Sequence, residues 1–344
     1  MMRGVCVGVT TRPALAALRS PFILRRKATA LQPTCSSSDH ISFISHVAAA
    51  QPPQNLHTLI KILQGRGETI VSPCARQGLI SLAIPLSRNH SGTLVALLRW
   101  PTPPAGMEMP VVEVHQHGVW LLAKSVDQYI HRILVEEDAC HSANIDGKPY
   151  SVLNDSANNI YKRGDFAMSR ISNLDIYLLK MVGLFPDVME RKALGHLEKG
   201  DQVSALVSGE FYAKKEHFPG FGRPFVFNAE VLLKVGRNLE AKDAARVALK
   251  SPWWTLGCKY EHVAEIAQWE DEQIEYIRER VTEEGRREDL KKGKAPAQVA
   301  LDQAAFLMDL ASVDGTWLEI EDQVADCYEE AGLPEIARFI LHKG

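Results

Sequence analysis

Ala229-Glu230-Val231-Leu232-Leu233-Lys234-Val235-Gly236-Arg237-Asn238-Leu239-Glu240-Ala241-Lys242-Asp243-Ala244-Ala245-Arg246-Val247-Ala248 is the stretch on which the architecture turns. Apolar residues recur every three or four positions on both sides of Gly236, which predicts two helices meeting at a glycine turn. Small side chains stand seven residues before that glycine, at Ala229, and five and twelve after it, at Ala241 and Ala248, and Pro252 closes the unit. Antiparallel helices approach backbone to backbone only where side chains are small, and glycine tolerates the left-handed turn between them.

The same spacing recurs downstream at Ala325, Tyr328, Gly332 and Ala337, and more weakly upstream at Ala157, Gly164, Phe166 and Ser169. The pattern resembles the tetratricopeptide grammar, with its closing proline one position early. The turn glycines are 72 and 96 residues apart. Neither distance is a multiple of the roughly 34-residue tetratricopeptide period, so a regular array is excluded. The expectation is a mainly α, irregular TPR-like helical domain over residues 156–344. An ordinary helical bundle with small residues at its crossings is the alternative. Helical periods are expected at Leu174 to Val182, Ala229 to Val235, Leu239 to Leu249, His262 to Glu284, Pro296 to Ala311 and Leu318 to Glu330, with Pro296 suited to a first helical position.

Toward the N-terminus the period changes. β-branched and apolar clusters at Thr69 to Val71, Leu79 to Leu86, Thr93 to Arg99 and Val111 to His115 are bounded by Gly, Pro, Asn or Ser and predict strands. Arg88 to Gly92 suits a hairpin loop, and Pro101 to Pro110 suits a connection outside any sheet interior. A short helix is expected from Asn55 to Gln64 and a longer one from about Leu121 to Glu137. Residues 51–140 therefore read as a small α+β domain. Polar, turn-forming residues 141–155, including Asp146-Gly147-Lys148-Pro149, read as a linker.

Residues 1–50 carry Arg3, Arg12, Arg19, Arg25, Arg26 and Lys27 against the single acid Asp39, and they are rich in Ala, Ser and Thr. That composition predicts an organellar transit peptide, disordered and cleaved between Thr34 and Gln51. The remaining chain holds 33 Lys and Arg against 41 Asp and Glu, a net charge of −8. An acidic body counts against nucleic acid as the main ligand, because backbone binding draws on cations that neutralise phosphates. No stretch reaches the roughly 20 apolar residues of a spanning helix. The six cysteines are scattered and form no C-x-x-C pair.

Chemistry-bearing patterns are sparse. His115 and His117 would share one face of a strand, but no third metal ligand is indicated. Glu136, Glu137, Asp138, Cys140 and His141 gather at a helix end where polar residues are expected in any case. Gly220-Phe221-Gly222 lacks the third glycine and the preceding strand of a dinucleotide fingerprint. The expectation is no catalytic residue, no metal and no cofactor. The least ordinary composition lies between Phe211 and Phe227, which holds Phe211, Tyr212, Phe218, Phe221, Phe225 and Phe227, and Trp253-Trp254 follows it. Phe221, Arg223, Phe225, Trp253 and Trp254 are the candidate partner-binding residues, since aromatic and Arg anchors dominate interfaces. The competing reading is that these rings plug the helical core.

Three segments carry a family resemblance: Asn154-Asp155-Ser156-Ala157-Asn158-Asn159-Ile160-Tyr161-Lys162-Arg163-Gly164-Asp165-Phe166, Gly220-Phe221-Gly222-Arg223-Pro224-Phe225-Val226-Phe227-Asn228-Ala229-Glu230, and Ser251-Pro252-Trp253-Trp254-Thr255-Leu256-Gly257. Through them the helical half resembles the green-lineage chloroplast family called IN CHLOROPLAST ATPASE BIOGENESIS. The resemblance implies a non-enzymatic assembly chaperone in the stroma or at the thylakoid surface. It would bind subunits of the ATP synthase F1 head, β first, before α and β join. Two alternatives stand beside it: an organellar RNA-processing or translation factor built on helical repeats, and an enzyme with its site near His115, His117 and Trp120.

Overall fold

The computed structural model describes residues 36–141, 159–269 and 272–343. A five-stranded antiparallel meander forms from β1 (Thr69–Ile70), β2 (Ala83–Arg88), β3 (Leu94–Leu98), β4 (Val111–His115) and β5 (Gly118–Ala123), with the strands in chain order across the sheet. Consecutive hairpins make this the simplest sheet to assemble. The expected loop at Arg88 to Gly92 closes the β2–β3 hairpin: Asn89 N–H donates to the Thr93 carbonyl, and the Asn89 side chain accepts from Thr93 N–H. Every residue of β3 is buried, so the sheet is covered on both faces.

The strand β5 replaces the first turns of the helix expected from Leu121. Leu121 and Leu122 fit a helical period as well as a strand, but Ser125 decides the boundary. Its hydroxyl accepts from Gln128 N–H, so α3 (Val126–His141) begins one residue after this cap. Upstream, α1 (Ser37–His46) and α2 (Leu56–Gly65) join the same core. Residues 36–50 were expected to belong to a disordered leader, and the structure corrects that expectation. Ile44 is fully buried, Phe43 nearly so, and His40 Nε2 donates to the carbonyls of Val71 and Pro85 at 3.0 and 3.1 Å. That bond serves strand β2 at its bulge, where Pro85 has no N–H of its own. Amphipathic Ser37–His46 is therefore part of the folded body. The rest of the predicted leader, and the predicted linker beyond His141, lie outside the described residues.

The second half is helical, as the sequence predicts. After two short turns, α4 (Asp165–Met168) and α5 (Leu174–Tyr177), the helices α6 (Pro186–Glu198), α7 (Gln202–Tyr212), α8 (Arg223–Lys234), α9 (Asn238–Ala248) and α10 (Tyr260–Ala267) pack each on the next. The α8–α9 turn matches expectation. Gly236 takes φ +81°, Arg237 N–H reaches back to the Leu232 carbonyl, and Ala229, Ala241 and Ala248 are fully buried. Helices α13 (Pro296–Asp314), α14 (Trp317–Glu330) and α15 (Pro334–Leu341) follow, and the turn at Gly332 repeats the arrangement with Ala325 and Ala337 buried. The weaker third segment differs, because Gly164 precedes only the single turn α4.

The run His262 to Glu284 is also not one helix. Gln268 turns left-handed at φ +50°, and the charged sequence beyond it divides into α11 (Glu272–Arg280) and α12 (Glu283–Lys291), the latter capped by the Thr282 hydroxyl. One hydrophobic cluster runs from Phe43 through the sheet to Ile340. A second gathers Val226, Ala245, Trp253, Tyr260 and Val263 between α8, α9 and α10.

Candidate functional site

Of the five predicted partner-binding residues, Phe221, Arg223 and Trp254 come together where the helical half meets the edge strand β5, while Phe225 and Trp253 pack in the second hydrophobic cluster. Trp254 sits in a single 3-10 turn (Trp253–Thr255) whose backbone lies over Gly118. A Cβ at Gly118 would stand 2.1 Å from the Trp254 carbonyl oxygen, so only glycine permits this approach. Gly257 is similarly enclosed, by the Trp120 ring and the Arg223 stem. The Trp100 ring lies 5.7 Å from Phe221 and 5.2 Å from Trp254, centroid to centroid. These contacts pack the turn closely onto β5 and the loop after β3.

Arg223 locks the same seam electrostatically. Its Nε and Nη2 each donate at 2.8 Å to the two oxygens of Glu190 on α6, and Nη1 donates at 3.0 Å to Glu230 one helical face along α8. The guanidinium also stacks over Trp120 of β5 at 5.2 Å. Burial disfavours the Arg223 charge, but the two carboxylates outweigh it and hold the group protonated. Burial likewise pushes Glu190 upward against the pull of Arg223. A buried pair of this kind is weak evidence of net stabilisation, yet removing one partner strands the others. Trp253 is equally internal: its N–H donates to Asp309 at 2.7 Å, its indole N–H donates to the Leu249 carbonyl, and its ring lies 4.1 Å from Tyr260. Phe225 is half-buried against the second cluster. In this fold Phe221, Trp253 and Trp254 are core, and a partner reaches them only if the fold opens.

A different part of the aromatic stretch is exposed. Helix α7 buries Ala205, Ser208 and Tyr212, while Val203, Val207 and Phe211 are 73%, 60% and 39% exposed. At about 100° per residue these three lie along one outward stripe. The sequence reading missed it because the helix is apolar nearly all round. The available signal was Ala205, Ser208 and Gly209, small residues that mark the packed face and leave the larger ones outside. Phe211 stacks on His217 at 4.3 Å, and His217 Nδ1 donates to the Phe211 carbonyl. His217 in turn lines a cleft of about 410 Å³ with Met107, Leu121, Lys124, Phe218 and Phe221. The stripe meets the cleft through the Phe211–His217 contact, and both charge signs line the cleft, with Glu108, Lys124 and Glu216.

Of the groups suggested for catalysis, His115 and His117 line one small cleft, together with Cys258 and Lys259, which the sequence did not single out. His117 Nδ1 is engaged with the Ser312 carbonyl, Trp120 is covered by Arg223, and burial pushes the Cys258 thiol up to about 11, far from a thiolate nucleophile at neutral pH. Among the described residues no group of three or more His, Cys, Asp or Glu could hold a metal ion, and no helix is long and apolar enough to cross a membrane.

Three family models match in order along the chain: PAB N-terminal over residues 38–181, PAB middle domain over 186–270 and PAB C-terminal domain over 274–342. No solved structure is significantly similar. The chain is 64% identical over 309 residues to Protein IN CHLOROPLAST ATPASE BIOGENESIS, chloroplastic, of Arabidopsis thaliana, an alignment covering 90% of this chain and 92% of that protein. The first model begins inside α1, in agreement with the burial of that helix. With all three models in sequence and a relative this similar over nearly its full length, the chain belongs to the PAB family.

Proposed function

We propose that this protein is a non-enzymatic assembly factor of the chloroplast, acting in the stroma on the ATP synthase F1 head by holding a subunit before assembly. The observation that carries this reading is the 64% identity to a protein named for chloroplast ATPase biogenesis. A factor of this kind needs a transient, partly apolar surface on a rigid body. The α7 stripe with its adjoining cleft is the surface we assign to that role. The β subunit is the first partner to test, as the resemblance implies.

The test is direct binding of the full chain to separately produced F1 subunits, followed by native electrophoresis. A complex with free β, lost when α and β are combined first, is the expected result. Binding only to the assembled head, or to no subunit, overturns the reading.

A further inference from the structure

A second cleft, of about 430 Å³, lies between the loop that precedes β2 and the C-terminal end of the chain. Its walls include Arg76, Ser81, Leu318, Glu321, His342 and Lys343, none of which lines the cleft beside α7. Arg76 is only 6% exposed. Nε donates to the Ala83 carbonyl at 3.1 Å, Nη1 to the Phe339 carbonyl at 2.6 Å and Nη2 to the Ser81 carbonyl, while the guanidinium stacks on the Phe339 ring at 3.9 Å. All three acceptors are neutral. A guanidinium carries five N–H donors, so these bonds leave two.

A buried cation without a bonded counter-ion is unfavourable. Here burial pushes Arg76 down to about 10, with Glu321 opposing it only through space. Two further polar atoms in the walls, Ser81 Oγ and His342 Nδ1, are buried without a hydrogen-bond partner among the described residues. Lys343 stands exposed at the mouth. Arg76 and Lys343 against Glu321 give this cleft a net positive charge on a protein whose overall charge is negative.

We infer that this cleft binds a small molecule through a phosphate group, with Arg76, Ser81, His342 and Lys343 as the donors and Leu318 with Ile340 as its apolar wall. Four donor groups converging on one cleft suit the three strong acceptor oxygens of a phosphate group, and a dicarboxylate probe separates that reading from carboxylate binding. The volume falls in the range of small-molecule sites, about 300–1,000 Å³, and leaves room for an organic body beyond the phosphate. If Arg76 served only to cap α15 and pin the loop, Ser81 and Lys343 would have no role, and that contrast sets the test.

Calorimetric titration of the full chain in phosphate-free buffer, with ADP, inorganic phosphate and succinate as separate probes, reads the site. ADP is expected to saturate one site and to bind more tightly than phosphate. Ser81→Ala and Lys343→Glu should each weaken binding at least about tenfold, equivalent to about 1.4 kcal/mol, with unchanged circular dichroism, while Lys215→Glu, at an exposed position beyond α7 and outside this cleft, leaves it unaltered. Equal affinity for ADP and inorganic phosphate assigns the site to free phosphate and still supports it. No saturable binding of either probe, displacement by succinate as readily as by phosphate, or unchanged binding in both variants overturns the inference. The result is independent of whether an F1 subunit binds.

Discussion

Phe211 and Phe221 stand ten residues apart in one aromatic stretch and have opposite fates. Phe221 is 4% exposed against Trp100, and Phe211 is 39% exposed on the outward face of α7. The first belongs to a seam in which glycines, tryptophans and one arginine join the helical half to strand β5. The second belongs to a stripe left exposed among the described residues. Unusual composition therefore marks two different jobs here, and only the packing of the neighbouring small residues separates them.

Breaking the seam should have the largest effect. Arg223→Ala would leave Glu190 and Glu230 facing each other without their cation, and a loss of about 3–5 kcal/mol is expected by urea denaturation. Gly118→Ala should cost as much or more, since a backbone oxygen 2.1 Å away cannot move aside without dragging the Trp253–Thr255 turn with it. Trp253→Ala removes a buried indole and should lower stability by about 3–5 kcal/mol. Native helical content and stability retained by that variant would place Trp253 outside the core and revive it as an anchor. A chain beginning at residue 51 would lack α1 with Phe43 and Ile44 and should fold poorly.

A smaller effect depends on pH. Asp309, fully buried against the Trp253 N–H, has its carboxyl pushed by burial up to about 8 from an ordinary value of 3.8, with that N–H opposing. The folded state thus keeps a proton that the unfolded state releases. The stabilisation is complete below the ordinary carboxyl value and is lost as pH rises through about 8. Asp309→Asn keeps an acceptor for Trp253, and it should flatten the fall in melting temperature between about pH 4 and about pH 8. An unchanged slope would show that another group carries it.

Smallest in stability, and largest in partner capture, should be Val203→Asp with Val207→Asp. Both sites face solvent, so each substitution should shift stability by no more than about 0.5 kcal/mol.

Much of the fold is legible from local chemistry. The hairpin at Arg88 to Gly92, the turn at Gly236 and the start of α13 at Pro296 follow from residues whose backbone preferences leave little choice. Elsewhere two periods compete: Leu121 and Leu122 satisfy both helix and strand, and the arbiter is the cap at Ser125. Ser37–His46 shares the hydroxyl-rich character of the leader, but it holds the segment's single acid, Asp39, and no Lys or Arg, and its burial against β2 shows that it is folded. The candidate surface was least legible. Aromatic content draws attention to Trp253 and Trp254, but exposure is decided by what packs over a residue. The burial of Arg76 is not legible locally, since it depends on the distant Phe339, whose carbonyl and ring both meet the guanidinium.

The most direct test of the account compares the full chain with its Val203→Asp, Val207→Asp double variant, each immobilised and exposed to chloroplast stroma, with circular dichroism recorded for both. The account predicts that the unaltered chain retains an F1 subunit free of the membrane sector, and that the variant keeps its fold but loses that subunit. Equal retention by both chains, or retention of RNA and ribosomal components in place of the subunit, would contradict it.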